Sequence, residues 1–222
     1  MKIQVIFEDL INNHWSTLFK VANEELNETD VYYSAIGRSF FGQVTHSSTI
    51  DIAFSGSALH WASQTLALKN VFTASRTHDP IEKEQWNLLS KKDWETIIKY
   101  RSRELSPNAL LIANFMINDS KQNPQKWAET LENILDTLVQ QNKITKQEVE
   151  SLVLPAHSRK LSDITDPELM MKYGFEVLFS NVYIILNPFY EKLQKELNQG
   201  RPEIECVRAF AKESVAFRRY FI

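Results

Sequence analysis

The sequence predicts an α/β fold: an open, mostly parallel sheet that carries a helical insertion. Three observations predict it. Short β-branched runs alternate with an amphipathic helical stretch in the first third of the chain. Only 5 glycines occur in 222 residues, so regular elements must dominate. From about residue 125 to 172 helical patterns follow one another with no strand between them.

Residues 3–7, IQVIF, read as the first strand. In the next stretch Trp15, Leu18, Phe19 and Ala22 share one helical face, with Asn12 or Asn13 as the expected cap. Residues 31–36 read as the second strand. A strand, helix, strand order of this length implies parallel pairing. Residues 50–54 read as the third strand. A long helix is expected over about 81–105, broken by Pro107-Asn108. The apolar run 109–116 reads as a strand covered on both faces. Asn123-Pro124 opens a helix expected over about 125–141, and Thr145-Lys146-Gln147-Glu148 starts another with a capping-box pattern. A strand is expected over 175–186. Two helices follow, over about 188–197 and 202–220, with Gly200 as the stop between them. The expected organisation is a core over 1–118, a helical cap over 119–173 that often sits over strand ends, and a C-terminal strand and helices over 174–222.

Charge and composition exclude several classes. The formal net charge is -3 with both signs interspersed, so no broad basic field exists for nucleic acid or an anionic membrane. No apolar run approaches the roughly 18 residues of a membrane span, and the N-terminus lacks a signal-peptide pattern. Cys206 is the single cysteine, which rules out a disulfide within the chain and favours a reducing, cytoplasmic setting. G-x-G-x-x-G, the P-loop and H-E-x-x-H are missing. The five histidines share no metal-ligand spacing, so no metal is expected. Ser57 in FSGSALH only resembles a nucleophile elbow, because Ser55 replaces the first glycine of that pattern.

Two strand ends share a design. AIGRSFFGQV follows the second strand and FSGSALHWAS the third. Small residues at strand carboxyl ends let a flat ligand lie against backbone. The first strand ends in Glu8-Asp9-Leu10, and a carboxylate there can accept both hydroxyls of a ribose. Together they sketch an adenosine site: Asp9 at the ribose, Ser39 and Phe40 at the adenine, Ser55 and Gly56 at the floor. On spacing alone a plainer account is preferred, with Asp9 capping the next helix and Phe40 and Phe41 in the core.

FEDL…TLF, GRSFFGQV, ALHWASQ, YRSRELSPNALLIANF, ITKQEVESLVLPAH and IECVRAFAKES, in this order, resemble the SABATH family of carboxyl methyltransferases. Its members include the salicylate, jasmonate, benzoate and theobromine enzymes. The resemblance spans residue 4 to about 221. It implies a Rossmann-like fold with a helical cap, S-adenosylmethionine as cofactor, and a small carboxylic acid as substrate. By position, Asp9, Leu10, Ser39 and Phe40 match the family's cofactor contacts. Trp61 matches the tryptophan whose indole N–H holds the acceptor carboxylate, and His60 its neighbour in that pocket. Trp127 and Ala128 match the cap segment lining the pocket, and His157 stands where a tyrosine is usual. Ser57, Gln43 and Val153 also depart from the family pattern, replacing a tyrosine, an arginine and an asparagine.

Methylating a carboxylate asks for positioning and exclusion of water, not for a general base, and no catalytic acid or base is expected. In the family a strand, a glycine-rich cofactor loop and a substrate-binding glutamine precede the position of Met1, and a last strand follows Ile222. The resemblance therefore leaves room for a homodimer, for a separate N-terminal polypeptide, or for the alternative of a non-catalytic binding or assembly subunit. The cofactor and acceptor residues are expected to converge on one crevice from neighbouring strands of a single sheet.

Overall fold

The computed structural model describes residues 2–26, 30–69, 71–114, 116–117, 126–183 and 188–219. The helix opener Asn123-Pro124, the side chain of Trp127 and the strand expected at 184–186 lie outside the described residues. Two compact units divide the chain, 1–177 and 178–222.

In the first unit, strand β1 (Ile3–Asp9), helix α1 (Trp15–Glu25) and strand β2 (Val31–Gly37) form the expected parallel unit. The register runs from Ile3 opposite Val31 to Asp9 opposite Gly37, so both carboxyl ends stop level. His14, not Asn12 or Asn13, caps α1, and it makes no side-chain cap bond. Asn13 instead uses its Oδ1 to accept from the backbone N of His14 at 2.6 Å. A Cβ on Gly37 would sit 2.8 Å from Ile11 Cδ1, so a side chain there would push out the chain leaving β1.

Strand β3 (Ile50–Gly56) pairs in parallel with β4 (Leu105–Asn114). Pro107-Asn108 does not break a helix. Both residues lie inside β4, in the irregularity that moves the pairing from Ile50–Leu105 to Ile52–Leu110. Proline has no N–H for a ladder, and Asn108 has φ 65°, so the strand absorbs the pair as a bulge. Among the described residues the strands form two parallel pairs, β1-β2 and β3-β4, where one continuous sheet was expected. The expectation that β4 is covered on both faces also fails in this unit. Leu111 packs into the core, whereas Leu110 and Ile112 are 45% and 49% exposed.

Between β3 and β4 in sequence runs helix α2 (Pro80–Glu104), 25 residues long. Asp79 caps it by accepting from the backbone N of Ile81 and Glu82, and Pro80 opens it. Its buried stripe mixes Trp86, Leu89, Trp94, Ile97 and Ile98 with Glu82, Asp93, Arg101 and Glu104. The stripe carries charge because each charged group is hydrogen-bonded: Glu82 to Thr77 Oγ1 and Lys69 N, Asp93 to Ser63 and His157, Arg101 to Glu104. One core cluster gathers Leu59, Trp94, Ile97, Ile98 and Met170; a second gathers Leu68, Trp86 and Leu89.

Helices α3 (Lys126–Gln140), α4 (Lys146–Ser151), α5 (Leu161–Ile164) and α6 (Pro167–Lys172) follow. Thr145 and Glu148 close the expected capping box on α4. The strand expected from Phe175 is not formed over 175–183, which carries no ladder bonds. The 178–222 unit holds α7 (Pro188–Asn198) and α8 (Glu203–Arg219). Gly200, with φ 79°, sits between them as expected, and buried Cys206 and the Tyr190–Phe210 ring contact hold the pair. Among the described residues no helix is long and apolar enough to cross a membrane.

Candidate functional site

Strand carboxyl ends present the predicted residues, and helix α2 ties two of those ends together. Phe40 and Phe41, after β2, have ring centroids 4.6 Å apart and pack against the cluster that holds Leu59, Trp94 and Ile97. Leu59 follows β3. Two strands that are not hydrogen-bonded neighbours thus send their outgoing loops onto one helix.

On the β1-β2 side Asp9 is exposed. Its Oδ1 accepts from Leu10 N at 2.7 Å and its Oδ2 from Asn13 Nδ2 at 2.9 Å. These bonds organise the turn toward α1 but do not provide the helix cap that the plainer account expected, and they leave further lone pairs open to solvent. Leu10 is exposed. Ser39 turns the chain, its Oγ accepting from Phe41 N at 3.3 Å and its carbonyl from Gly42 N at 3.0 Å.

Glu8, next to Asp9, was passed over as a site residue. It points the other way on the strand and is half-buried, and its Oε1 has no partner. Burial raises its carboxyl from 4.5 to about 7, although the nearby Arg101 cation pulls it down. Arg101 and Glu104 anchor the loop after β2. Arg101 donates to Gly42 O at 3.0 Å and to Glu104 Oε1 at 2.9 Å, and Val44 N donates to Glu104 Oε1 at 2.6 Å.

On the β3 side Ser55 and Gly56 lie opposite Ala113 and Asn114. Ser57 has φ 58°, the left-handed backbone of a tight elbow. Its hydroxyl donates to Asn114 Oδ1 at 3.1 Å, so the hydrolase-like sequence is a strand-end turn pinned to β4. His60 is only 6% exposed, and its Nδ1 has no partner. Trp61 is 42% exposed, its ring 5.0 Å from that of His60. None of the described hydrogen bonds uses the Trp61 indole N–H.

His157 is 3% exposed, and its Nε2 lies 2.7 Å from Asp93 Oδ2. The structure therefore brings His157 beside His60 and Trp61 but ties its ring to α2. Trp61 bridges Ala156 in an antiparallel sense, Ala62 N donates to Pro155 O, and His157 N donates to His60 O, the last two at 2.7 Å. Ala128 is buried in α3. Asp93 also accepts from Ser63 N at 2.9 Å and from Ser63 Oγ at 2.7 Å. Burial raises the Asp93 carboxyl, but the bonds from His157 and Ser63 outweigh it and the net shift is down. Burial lowers both His60 and His157, and the Arg159 cation adds to it. Arg159 itself is drawn down by burial to about 10, so it remains a cation at neutral pH.

Asp93, Ser63 and Arg159 escaped the sequence reading. A signal existed for Asp93, an acid four residues from Leu89 and four from Ile97 on the apolar stripe of α2. Among the described residues no three metal-ligating side chains gather to hold an ion.

The residues present fit the nucleoside part of an adenosyl cofactor. Asp9, exposed at the end of β1, retains open lone pairs, and the half-buried Phe40 and Phe41 follow the neighbouring strand β2. Two of the buried polar atoms that lack a hydrogen-bond partner, Glu8 Oε1 and His60 Nδ1, belong to a residue at the end of β1 and a residue just past β3.

Comparison with known proteins agrees with that fold. A 3,7-dimethylxanthine N-methyltransferase of Camellia sinensis var. assamica is 24% identical over 75% of this chain and 50% of its own length. A methyltransferase of Gibberella fujikuroi is 26% identical over 95% of this chain and 59% of its own. The structure of a loganic acid methyltransferase with SAH matches 78% of this chain and 52% of that one, with TM-score 0.66 and 20% identity. The chain thus spans about half the length of the relatives it matches. The family model described as SAM dependent carboxyl methyltransferase matches residues 1–218, and the chain belongs to that family.

Proposed function

We propose that this chain binds S-adenosylmethionine beside Asp9, Leu10, Ser39, Phe40, Ser55 and Gly56, and presents to it a small-molecule acceptor whose carboxylate is methylated. The observation that carries the reading is Trp61, an exposed indole with an uncommitted N–H, rising from a buried turn at the carboxyl end of β3. The indole is an uncharged donor of one directed hydrogen bond. It can hold a carboxylate oxygen without neutralising it, which keeps the oxygen nucleophilic. The bound cofactor would supply a methyl carbon made electrophilic by its sulfonium, which an ionised carboxylate attacks without a general base.

The chain's own contribution is then orientation and dryness. Asp9 would accept from the ribose hydroxyls, Phe40 would face the adenine, and His60 would border the acceptor. The cap segment with Trp127 and Ala128 would close over it. Relatives include a 3,7-dimethylxanthine N-methyltransferase and a 7-methylxanthine methyltransferase, so a ring nitrogen is the competing acceptor class.

Calorimetry with S-adenosylhomocysteine, followed by transfer assays with labelled S-adenosylmethionine, tests the reading. Loganic acid and 7-methylxanthine would represent the two acceptor classes. Heat with the first ligand and label on the carboxylate is the expected result. Heat without transfer to either would support a binding subunit, and no heat from the folded chain would remove the cofactor assignment.

A further inference from the structure

We propose that Asp93 and His157 are positioning residues: they pin the bridge between residues 60–62 and 155–157 to helix α2, and so set the angle at which Trp61 meets an acceptor. The inference rests on the reading of Trp61 as an acceptor contact.

The turn that bears Trp61 is held at almost every backbone position around it. Leu59 O accepts from Arg159 Nη1 at 2.7 Å. His60 O accepts from His157 N, and Ala62 N donates to Pro155 O. Ser63 gives both its N–H and its hydroxyl to Asp93. Trp61 makes none of the described hydrogen bonds through its side chain, and it is the exposed aromatic of this span. A chain pinned on both sides of one exposed aromatic is a device for presenting that aromatic.

Asp93 is the point where the anchors meet. Its carboxylate takes the two Ser63 donors and His157 Nε2 at once, and it is 2% exposed. An ionised carboxylate only accepts, so His157 carries its proton on Nε2 and spends it on this bond. Arg159 extends the anchor. It lies 5.6 Å from the Trp94 ring centroid and reaches toward Ser90 O, one turn before Asp93 on α2.

Stability alone does not explain such a cluster, because well-packed apolar side chains often serve a buried site as well as a charged pair. Directed hydrogen bonds add something that apolar contact lacks, a fixed orientation. A ring held this way loses little freedom when it binds, and a misplaced one lowers transfer without touching the reacting atoms.

The test uses the full chain labelled with 5-fluorotryptophan, which has five tryptophan lines; Trp61→Phe assigns the one that matters. His157→Phe is expected to shift the Trp61 line and enlarge its solvent isotope effect while the Trp94 line stays. His157→Gln restores an N–H donor and is expected to return the line to its original position. Ser63→Ala, at an exposed residue, is expected to move it in the same direction by less. A Trp61 line that ignores Ser63→Ala overturns the proposal, even should His157→Phe fail to fold. So does a line displaced equally by His157→Gln and His157→Phe. Titrating loganic acid or 7-methylxanthine into the unsubstituted chain is a separate readout. A Trp61 line blind to both, with the variant shifts intact, would remove the acceptor reading and leave the pinning standing.

Discussion

The two sides of the strand ends are built differently. The β1-β2 side, with Asp9, Leu10 and Ser39, is open: among the described residues α1 buries only Ala22, and Asp9 bonds only its own turn. The β3 side, with His60 and Trp61, stands on α2 and a buried set of Asp93, His157 and Arg159. On the proposed function this difference has a reason: a nucleoside brings its own flat faces and hydroxyls, so a shallow surface with a few open lone pairs would receive it, whereas a small acceptor has few atoms to grip and would need rigidity from the protein.

That contrast can be broken by mutation. Asp93→Ala leaves His157 and Ser63 without an acceptor in the interior, and should cost about 3 kcal/mol of stability in urea unfolding. A loss like that of an exposed residue would contradict the difference between the sides.

Acid should strike the β3 side first. His60 and His157 hold protons less tightly when folded than at their ordinary value of 6.5, because burial and Arg159 oppose the charge. The unfolded chain then binds more protons, so stability falls as pH drops below 6.5. Urea midpoints from pH 8 to 5 should show that fall, and His157→Gln should flatten it.

Glu8 gives the opposite slope on the β1 side. Its folded value near 7 lies above the ordinary 4.5, so stability is lost as pH rises between the two. Glu8→Gln should remove that slope and gain about 1 kcal/mol at pH 8, a figure reduced for solvent screening of a half-exposed group. Unfolding at pH 5 and 8 checks it.

The smallest stability effect belongs to Asp9→Asn, within about 0.5 kcal/mol, as for a surface residue. Its signature should be in binding instead, with weaker S-adenosylhomocysteine heat from an undamaged fold. A large stability loss would make Asp9 a structural turn residue and nothing more.

Element order was legible from periodicity and caps. The Thr145-Glu148 box and Gly200 marked helix ends, because these signals act through bonds to residues within one turn. Pro107-Asn108 was misread as a break, since a bulge depends on the partner strand. The strand expected from 175 was misread for a related reason: an apolar run becomes a strand only when another edge takes its hydrogen bonds. The site residues Asp9, Ser39, Phe40, His60 and Trp61 stood out as unusual side chains at strand ends. Asp93 and Arg159 did not, because their partners are 64 and 69 residues away in sequence.

By itself, then, the sequence determined the first four strands and the helices, the family, and which side chains end up at the carboxyl ends of strands. These follow from local periodicity and from motifs in order. Only the tertiary structure decided that β2 and β3 meet through α2 and not through a ladder, and that His157 spends its proton on Asp93. Those outcomes depend on which distant groups share the interior, where an unpaired charge is costly and every polar atom must find its partner.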